Sequence, residues 1–183
     1  AQTPAGGFGA TASPLTGAHC LEALADGSFY YFDGSAIHQV KGTATRKVFT
    51  PAGKVFGSFI EKIPGKAAIL FGESSGGTIT EIGTGVLPYF RRVATIPFNY
   101  DCAHGPQGEL FVSAPGKGSG TNAVHLVDSQ GGTDVLIQVP GASGPLAVTP
   151  AGDLLLGLVS ATWPPPPASA RILRFPYAKV LSA

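Results

Sequence analysis

The sequence predicts an all-β chain: a β-propeller-like array of four four-stranded antiparallel blades, as a closed four-bladed ring or as half of a larger ring. Three observations predict it. First, four turns end in a glycine and lead into a short apolar strand, as in Leu24-Ala25-Asp26-Gly27-Ser28-Phe29 and Gly105-Pro106-Gln107-Gly108-Glu109-Leu110. The pivots Gly27, Gly65, Gly108 and Gly152 stand 38, 43 and 44 residues apart, and several strands within a period of roughly 40–45 residues is the pattern of propeller blades. Second, each pivot strand is followed by a strand with apolar residues three apart: Ile37-His38-Gln39-Val40, then 79–82, 124–127 and 172–175. Only the loop between these two strands grows along the chain, which stacked units tolerate because their packed strands cannot shift. Third, 26 Gly and 16 Pro mean many turns, and no window of eleven or more residues carries a helical period.

The elements follow in order. Residues 1–16 are rich in Gly, Ala, Thr and Pro and are expected as an extended lead-in; the repeats are expected over 17–183. Unit one (17–50) has strands near 18–24, 28–33, 36–41 and 46–50. Unit two (55–94) has strands near 56–61, 67–72, 78–82 and 87–94. Thr50-Pro51-Ala52-Gly53-Lys54 copies Thr149-Pro150-Ala151-Gly152-Asp153 but breaks the period, so it reads as a turn between units. Unit three (98–139) has strands near 99–104, 109–113, 123–128 and 134–139. Unit four (143–183) has strands near 145–149, 153–159 and 171–175, with a last one expected near 178–181. A blade presents both faces to neighbours. The run Val135, Leu136, Ile137, Val139, apolar on both sides, fits that demand.

Composition bounds the function. Of 183 residues, 44% are hydrophobic and only 13% charged, and the net charge is +1. That balance gives no electrostatic case for nucleic acid, and no apolar run reaches the roughly 18–20 residues that span a bilayer. The doublet Arg91-Arg92 reads as a solvated strand end. The chain has no Met and opens Ala1-Gln2-Thr3, as after cleavage of an export signal behind small residues. A secreted, periplasmic or cell-surface location is therefore expected. In such a compartment Cys20 and Cys102 are expected either as a disulfide or as free buried thiols. Both fall on presumed innermost strands, of units one and three, and that separation opposes the bridge.

Turn-Gly, then an acidic or polar residue and an apolar strand, then Ile-x-x-Val/Phe, resembles the blades of NHL-repeat and gluconolactonase-like propellers. Gln107-Gly108-Glu109-Leu110-Phe111-Val112 and Ala151-Gly152-Asp153-Leu154-Leu155-Leu156 carry the likeness, which covers most of 17–177. Where such blades often place an Asp after the apolar strand, units three and four have Pro115 and Ser160. The resemblance implies a metal in the central channel.

Candidate site residues follow from this layout. Asn99-Tyr100-Asp101-Cys102-Ala103-His104 is the densest polar cluster and enters an innermost strand, so Tyr100, Asp101 and His104 are expected in the channel with His19 and Glu22 of unit one. Such groups bind ligands or work as acid and base; the plainer reading is that they hold channel water, and no cofactor or metal is assigned. His38 and His125 share one repeat position and read as structural. Trp163, Pro164 and Pro165 open a stiff polyproline stretch in the longest loop and are expected as a partner contact. Gly116-Lys117-Gly118-Ser119 lacks the order of a phosphate loop, and no nucleophile elbow, zinc-protease pair or triad spacing occurs. The expectation is an exported, non-catalytic module meeting a protein partner or a second copy that completes the ring. The alternatives are a gluconolactonase-like metal-dependent hydrolase and a small-ligand or glycan binder.

Overall fold

Among the described residues, alternating and doubly apolar runs punctuated by glycine turns fold into fifteen strands and one short helix. The computed structural model describes residues 18–118, 120–142, 144–158 and 169–181. The lead-in at 1–16 and the Trp163-Pro164-Pro165 loop lie outside them. Blade 1 is β1 Cys20–Ala23, β2 Phe29–Phe32, β3 Ile37–Lys41 and β4 Ala44–Phe49. Blade 2 is β5 Gly57–Lys62, β6 Ala68–Glu73, β7 Thr78–Gly83 and β8 Phe90–Thr95. Blade 3 is β9 Asp101–His104, β10 Leu110–Pro115, β11 Thr121–Val127 and β12 Thr133–Pro140. Blade 4 holds β13 Leu146–Val148, β14 Leu154–Leu158 and β15 Arg171–Phe175. Every sheet is an antiparallel meander in chain order, and the four are arranged as the blades of a β-propeller.

Each meander has two ends. The turns joining first to second and third to fourth strands open at one end, called here the turn face. The second-to-third loops and the blade-to-blade connections open at the other, the crossover face. At the turn face, Gly27, Gly108 and Gly152 have φ of 77, 89 and 91° and close the turn onto the carbonyls of Leu24, Gly105 and Thr149. That left-handed backbone is why glycine recurs there. In blade 2 the same closure is made by Lys66 onto Ile63, with Gly65 one place earlier and Ala68 accepting one place later. The turn is one residue longer.

Strand alternation splits each blade into two faces, and adjacent faces meet in three apolar cores. Tyr30, Phe32 and Ile37 of blade 1 pack on Ile60, Ile69 and Phe71 of blade 2, with the Phe32 and Phe71 rings 5.0 Å apart. Phe59, Leu70 and Ile79 meet Cys102, Leu110 and Val112 of blade 3. Phe111 and Val124 meet Leu146, Leu154 and Leu156 of blade 4. Each sheet is thus stabilised by burial against a neighbour and not by a core of its own. Among the described residues no core cluster joins blade 4 to blade 1. Leu21 and Ile172, on the outward faces of those blades, are 53% and 76% exposed.

Polar stitches supplement the cores. Ser58 donates to Asn99 Oδ1, and Asn99 Nδ2 donates to the carbonyls of Glu73 (2.8 Å) and Ile96 (3.0 Å), tying blade 2 to the start of blade 3. Ser113 Oγ donates to the Gly144 carbonyl at 2.7 Å, on the approach to blade 4.

Two expectations are corrected here. The segment expected as a last strand is helix α1, Tyr177–Val180. Pro176 supplies no N–H for a ladder, Tyr177 O–H donates to Glu109 Oε1, and Val180 is buried in the blade 3–4 core. The disulfide is absent: Cys20 and Cys102 are both free thiols. β5 lies between their strands, since β1 packs beside β5 and β5 beside β9. Burial pushes the Cys20 thiol up to about 12, against a backbone hydrogen bond at Phe32 that lowers it, and burial raises Cys102 well above its ordinary range.

Candidate functional site: the central channel

The four innermost strands, β1, β5, β9 and β13, line one channel. Toward the turn face a cleft of about 450 Å³ is lined by Glu22 of β1, Glu61 of β5, Asp101 and His104 of β9 and Val148 of β13. At the crossover face a second cleft of about 290 Å³ is lined by His19, Ser58, Tyr100 and Asp101. The structure therefore brings all five expected residues to one channel, at two levels. His19 and Tyr100 sit at the crossover mouth, Glu22 and His104 lie deeper, and Asp101 borders both clefts.

Asp101 is the pivot of this arrangement. Its Oδ1 accepts the Cys102 N–H at 2.9 Å and its Oδ2 accepts the Leu146 N–H at 2.8 Å, so one carboxylate joins blades 3 and 4. Burial nevertheless dominates, with the Glu61 charge adding to it, and the carboxyl is pushed up from its ordinary 3.8 to about 6. Burial likewise raises Glu22, and the Glu61 charge adds to the rise. His104 Nδ1 stands 3.9 Å from Glu61 Oε1 and has no hydrogen-bond partner. A carboxyl that titrates near neutrality at the rim of a cleft can give or take a proton.

The channel metal implied by the sequence resemblance does not fit these residues. Among the described residues no group of three or more His, Cys, Asp or Glu side chains is placed to hold an ion, and both Asp101 oxygens are engaged by backbone N–H groups.

Exposed aromatic residues stand at and near the crossover mouth. Phe56, Phe98 and Tyr100 are all exposed, and the Phe56 ring lies 5.6 Å from the His19 ring. Phe98 has φ 57°, the sole positive φ at a non-glycine among the described residues. Its N–H donates to the Ser74 carbonyl at 2.7 Å, while the Ser74 N–H donates to the Phe56 carbonyl at 2.8 Å, so one loop residue holds both aromatic positions. Left-handed backbone at a bulky residue costs roughly 1–2 kcal/mol and persists where the surroundings enforce it.

Glu61, Ser58, Phe56 and Phe98 were missed in the sequence. Counting back from the turn start and not from the glycine, Glu61 is two residues before Ile63, as Glu22 is two before Leu24. The longer turn of blade 2 hid this match. His38 and His125 do not reach the channel: His38 Nε2 bonds Asp33 Oδ2 at 2.8 Å and its ring stacks on Tyr31, and His125 lies mid-blade on β11, opposite Val112 and Val135.

Comparison with known proteins agrees with the fold. No protein-family model and no curated protein matches the sequence. Solved structures do. Virginiamycin B lyase from Staphylococcus aureus is similar over 90% of this chain and 57% of its own, at 13% identity and TM-score 0.63.

The fold is a β-propeller.

A chain of the nidogen–laminin complex is similar over 81% of this chain and 58% of its own, at 14% identity and TM-score 0.66. The extracellular domain of a protein assigned to the hybrid two-component systems of B. thetaiotaomicron is similar over 77% of this chain and 20% of its own, at 8% identity and TM-score 0.62. The expected likeness to propellers is thereby borne out, and the chain spans little more than half the length of the first two. The expectation of a non-enzyme is corrected: propellers of this shape include a lyase, so missing sequence motifs carry no argument against catalysis on this fold. Propellers of this shape also include extracellular domains, and no helix among the described residues is long and apolar enough to cross a membrane.

Proposed function

We propose that this chain is an extracellular propeller module that takes a ring-bearing polar ligand, of the glycan or lactone class, at the crossover mouth of its channel. One observation carries this reading: exposed Tyr100 lines a cleft whose wall holds the Asp101 carboxyl, and exposed Phe56 stands against the His19 ring of the same cleft. Aromatic faces stack on the apolar face of a sugar-like ring, and buried carboxyls accept its hydroxyls. His19 and Ser58 complete the mouth; Glu22, Glu61 and His104 meet whatever reaches deeper. Asp101, titrating near 6, is suited to exchange a proton with the ligand. The test is a glycan array together with turnover of δ-gluconolactone, on the native chain and on Tyr100→Ala and Asp101→Asn. Each variant is expected to weaken binding about tenfold, the scale of one lost stacking or hydrogen-bonding contact. Hits that bind both variants as tightly as the native chain overturn the reading.

A second reading rests on the outward faces of blades 1 and 4. Among the described residues the four blades share three cores, and none of these covers Leu21 or Ile172. A protein partner or second copy completing the ring would cover them, with Trp163, Pro164 and Pro165 as a further contact. Light scattering across a hundredfold range of concentration tests the second-copy form; a monomer throughout removes it.

A further inference from the structure

One cavity of the described residues lies outside the channel. It opens at the turn face between blades 2 and 3, holds about 490 Å³, and shares only His104 with the residues proposed above for the channel ligand. That volume lies within the roughly 300–1,000 Å³ typical of small-molecule sites. Its floor is apolar, made by Ile63, Leu70, Val93, Leu110 and Val127. Its mouth is charged, and the charges are arranged.

The order comes from strand register. Glu61, Leu70, Glu81 and Arg91 are successive cross-strand partners, so they form one row across blade 2 on the face turned to blade 3. Glu81 is a buried carboxylate within this row. Burial alone would raise it, but hydrogen bonds from Tyr89 and Arg91, with the charges of Lys66 and Arg91, hold it below its ordinary range. Tyr89 O–H donates to Oε1 at 2.6 Å, Lys66 Nζ lies 3.5 Å from Oε1, and Arg91 donates to Oε2. Both carboxylate oxygens are engaged, so Glu81 has no oxygen to spare for a cation. Lys66 and Arg91 reach past it to the surface with two positive charges against one negative. The other acid at the mouth, Asp128, is tied into its own turn: its Oδ1 accepts the N–H groups of Gln130 (2.7 Å) and Gly132 (2.8 Å). At the inner end stands His104, its side chain nine-tenths buried and its Nδ1 without a hydrogen-bond partner, the Glu61 carboxylate lying 3.9 Å away. A buried imidazole nitrogen left unpaired is costly and marks a place where a ligand atom completes a hydrogen bond.

We propose that this inter-blade cavity binds an amphipathic monocarboxylate, with the anionic group at Lys66 and Arg91 and the apolar body on the Leu70–Leu110–Val127 floor. A ligand whose far end carries a hydroxyl supplies the missing hydrogen bond of His104 there. The cavity and the channel share His104 and Pro64, but the two ligands would lie on opposite faces of the ring.

The test is titration calorimetry of the full chain with straight-chain carboxylates of six to twelve carbons and with the matching alcohols. Affinity is expected to rise about fourfold per methylene until the floor is covered. Each carboxylate should bind at least about tenfold more tightly than its alcohol, the value of one charge-assisted hydrogen bond. The double variant Lys66→Gln, Arg91→Gln, which alters exposed side chains, should erase the preference while the melting curve shows it folded. The ¹⁵N shifts of His104 should move on binding of the longer members that carry a terminal hydroxyl. Equal affinity for acid and alcohol, an unchanged preference in the double variant, or no saturable binding overturns the proposal. Asp101→Asn should leave this binding unchanged, so failure here and failure of the channel reading are separate results.

Discussion

The Asp101 carboxyl gives the structure its sharpest test. The perturbation is Asp101→Asn, which keeps the shape and removes the titration. In the folded chain the carboxyl is raised from 3.8 to about 6, chiefly by burial. The folded state therefore holds this proton more tightly than the unfolded chain does. By linkage, the group costs no stability below pH 3.8, and a penalty develops as pH rises through the interval to 6 and is complete above it. At 1.36 kcal/mol per pH unit that penalty is roughly 3 kcal/mol. The asparagine variant loses at acid pH, because its amide can satisfy only one of the two N–H donors, from Cys102 and Leu146, which is worth about 1–3 kcal/mol. It should recover relative to the native chain by about 3 kcal/mol as pH rises from 3.5 to 7. Urea denaturation of both proteins across that range measures it, and taking the difference cancels the other carboxylates. A difference that stays flat with pH, or that runs the opposite way, refutes the argument that burial governs this group.

Three further outcomes follow from local geometry. Phe98→Gly removes the strain of a left-handed phenylalanine and should stabilise the chain by roughly 1 kcal/mol, read as a higher calorimetric melting temperature. Gly77→Ala places a Cβ 2.6 Å from the Pro97 nitrogen at a φ of 77°, so the chain should lose about 2 kcal/mol or more, read as a drop in the urea midpoint. Cys20 and Cys102, unbridged and with raised thiols, should react with a thiol reagent slowly in the native state and as two equivalents in denaturant; a single or absent equivalent contradicts the structure.

The blade framework was legible because its signals are local. A glycine with positive φ closes a turn, and the apolar residues after it must pack on a neighbour, so the periodic echo of Gly27, Gly108 and Gly152 registers directly as sheets. The last segment was not legible. Tyr177, Ala178, Lys179 and Val180 suit a strand as well as a helix, and the decision falls to Pro176 and to Tyr177 reaching Glu109, 68 residues away. The channel was legible for His19, Glu22, Tyr100, Asp101 and His104, since innermost strands can be named from the order within a unit. It was not legible for Glu61, whose equivalence is displaced by one residue of turn. Phe98 gave no signal at all: its left-handed φ accompanies a bond from its N–H to the distant Ser74 carbonyl, which the residues beside it in sequence do not announce. The pairing of Lys66 and Arg91 about Glu81 depends on register across three strands, which composition does not reveal.

The three-core stack makes the molecule's resilience uneven. The second and third sheets are clasped from both sides, whereas the first and fourth lean on one neighbour each. Amide protons should therefore exchange with solvent from the extremities inward, with Leu70 and Val112 among the last to yield. Losing an end sheet would leave a shorter but still ordered body, while damage at the middle seam would part the molecule into halves.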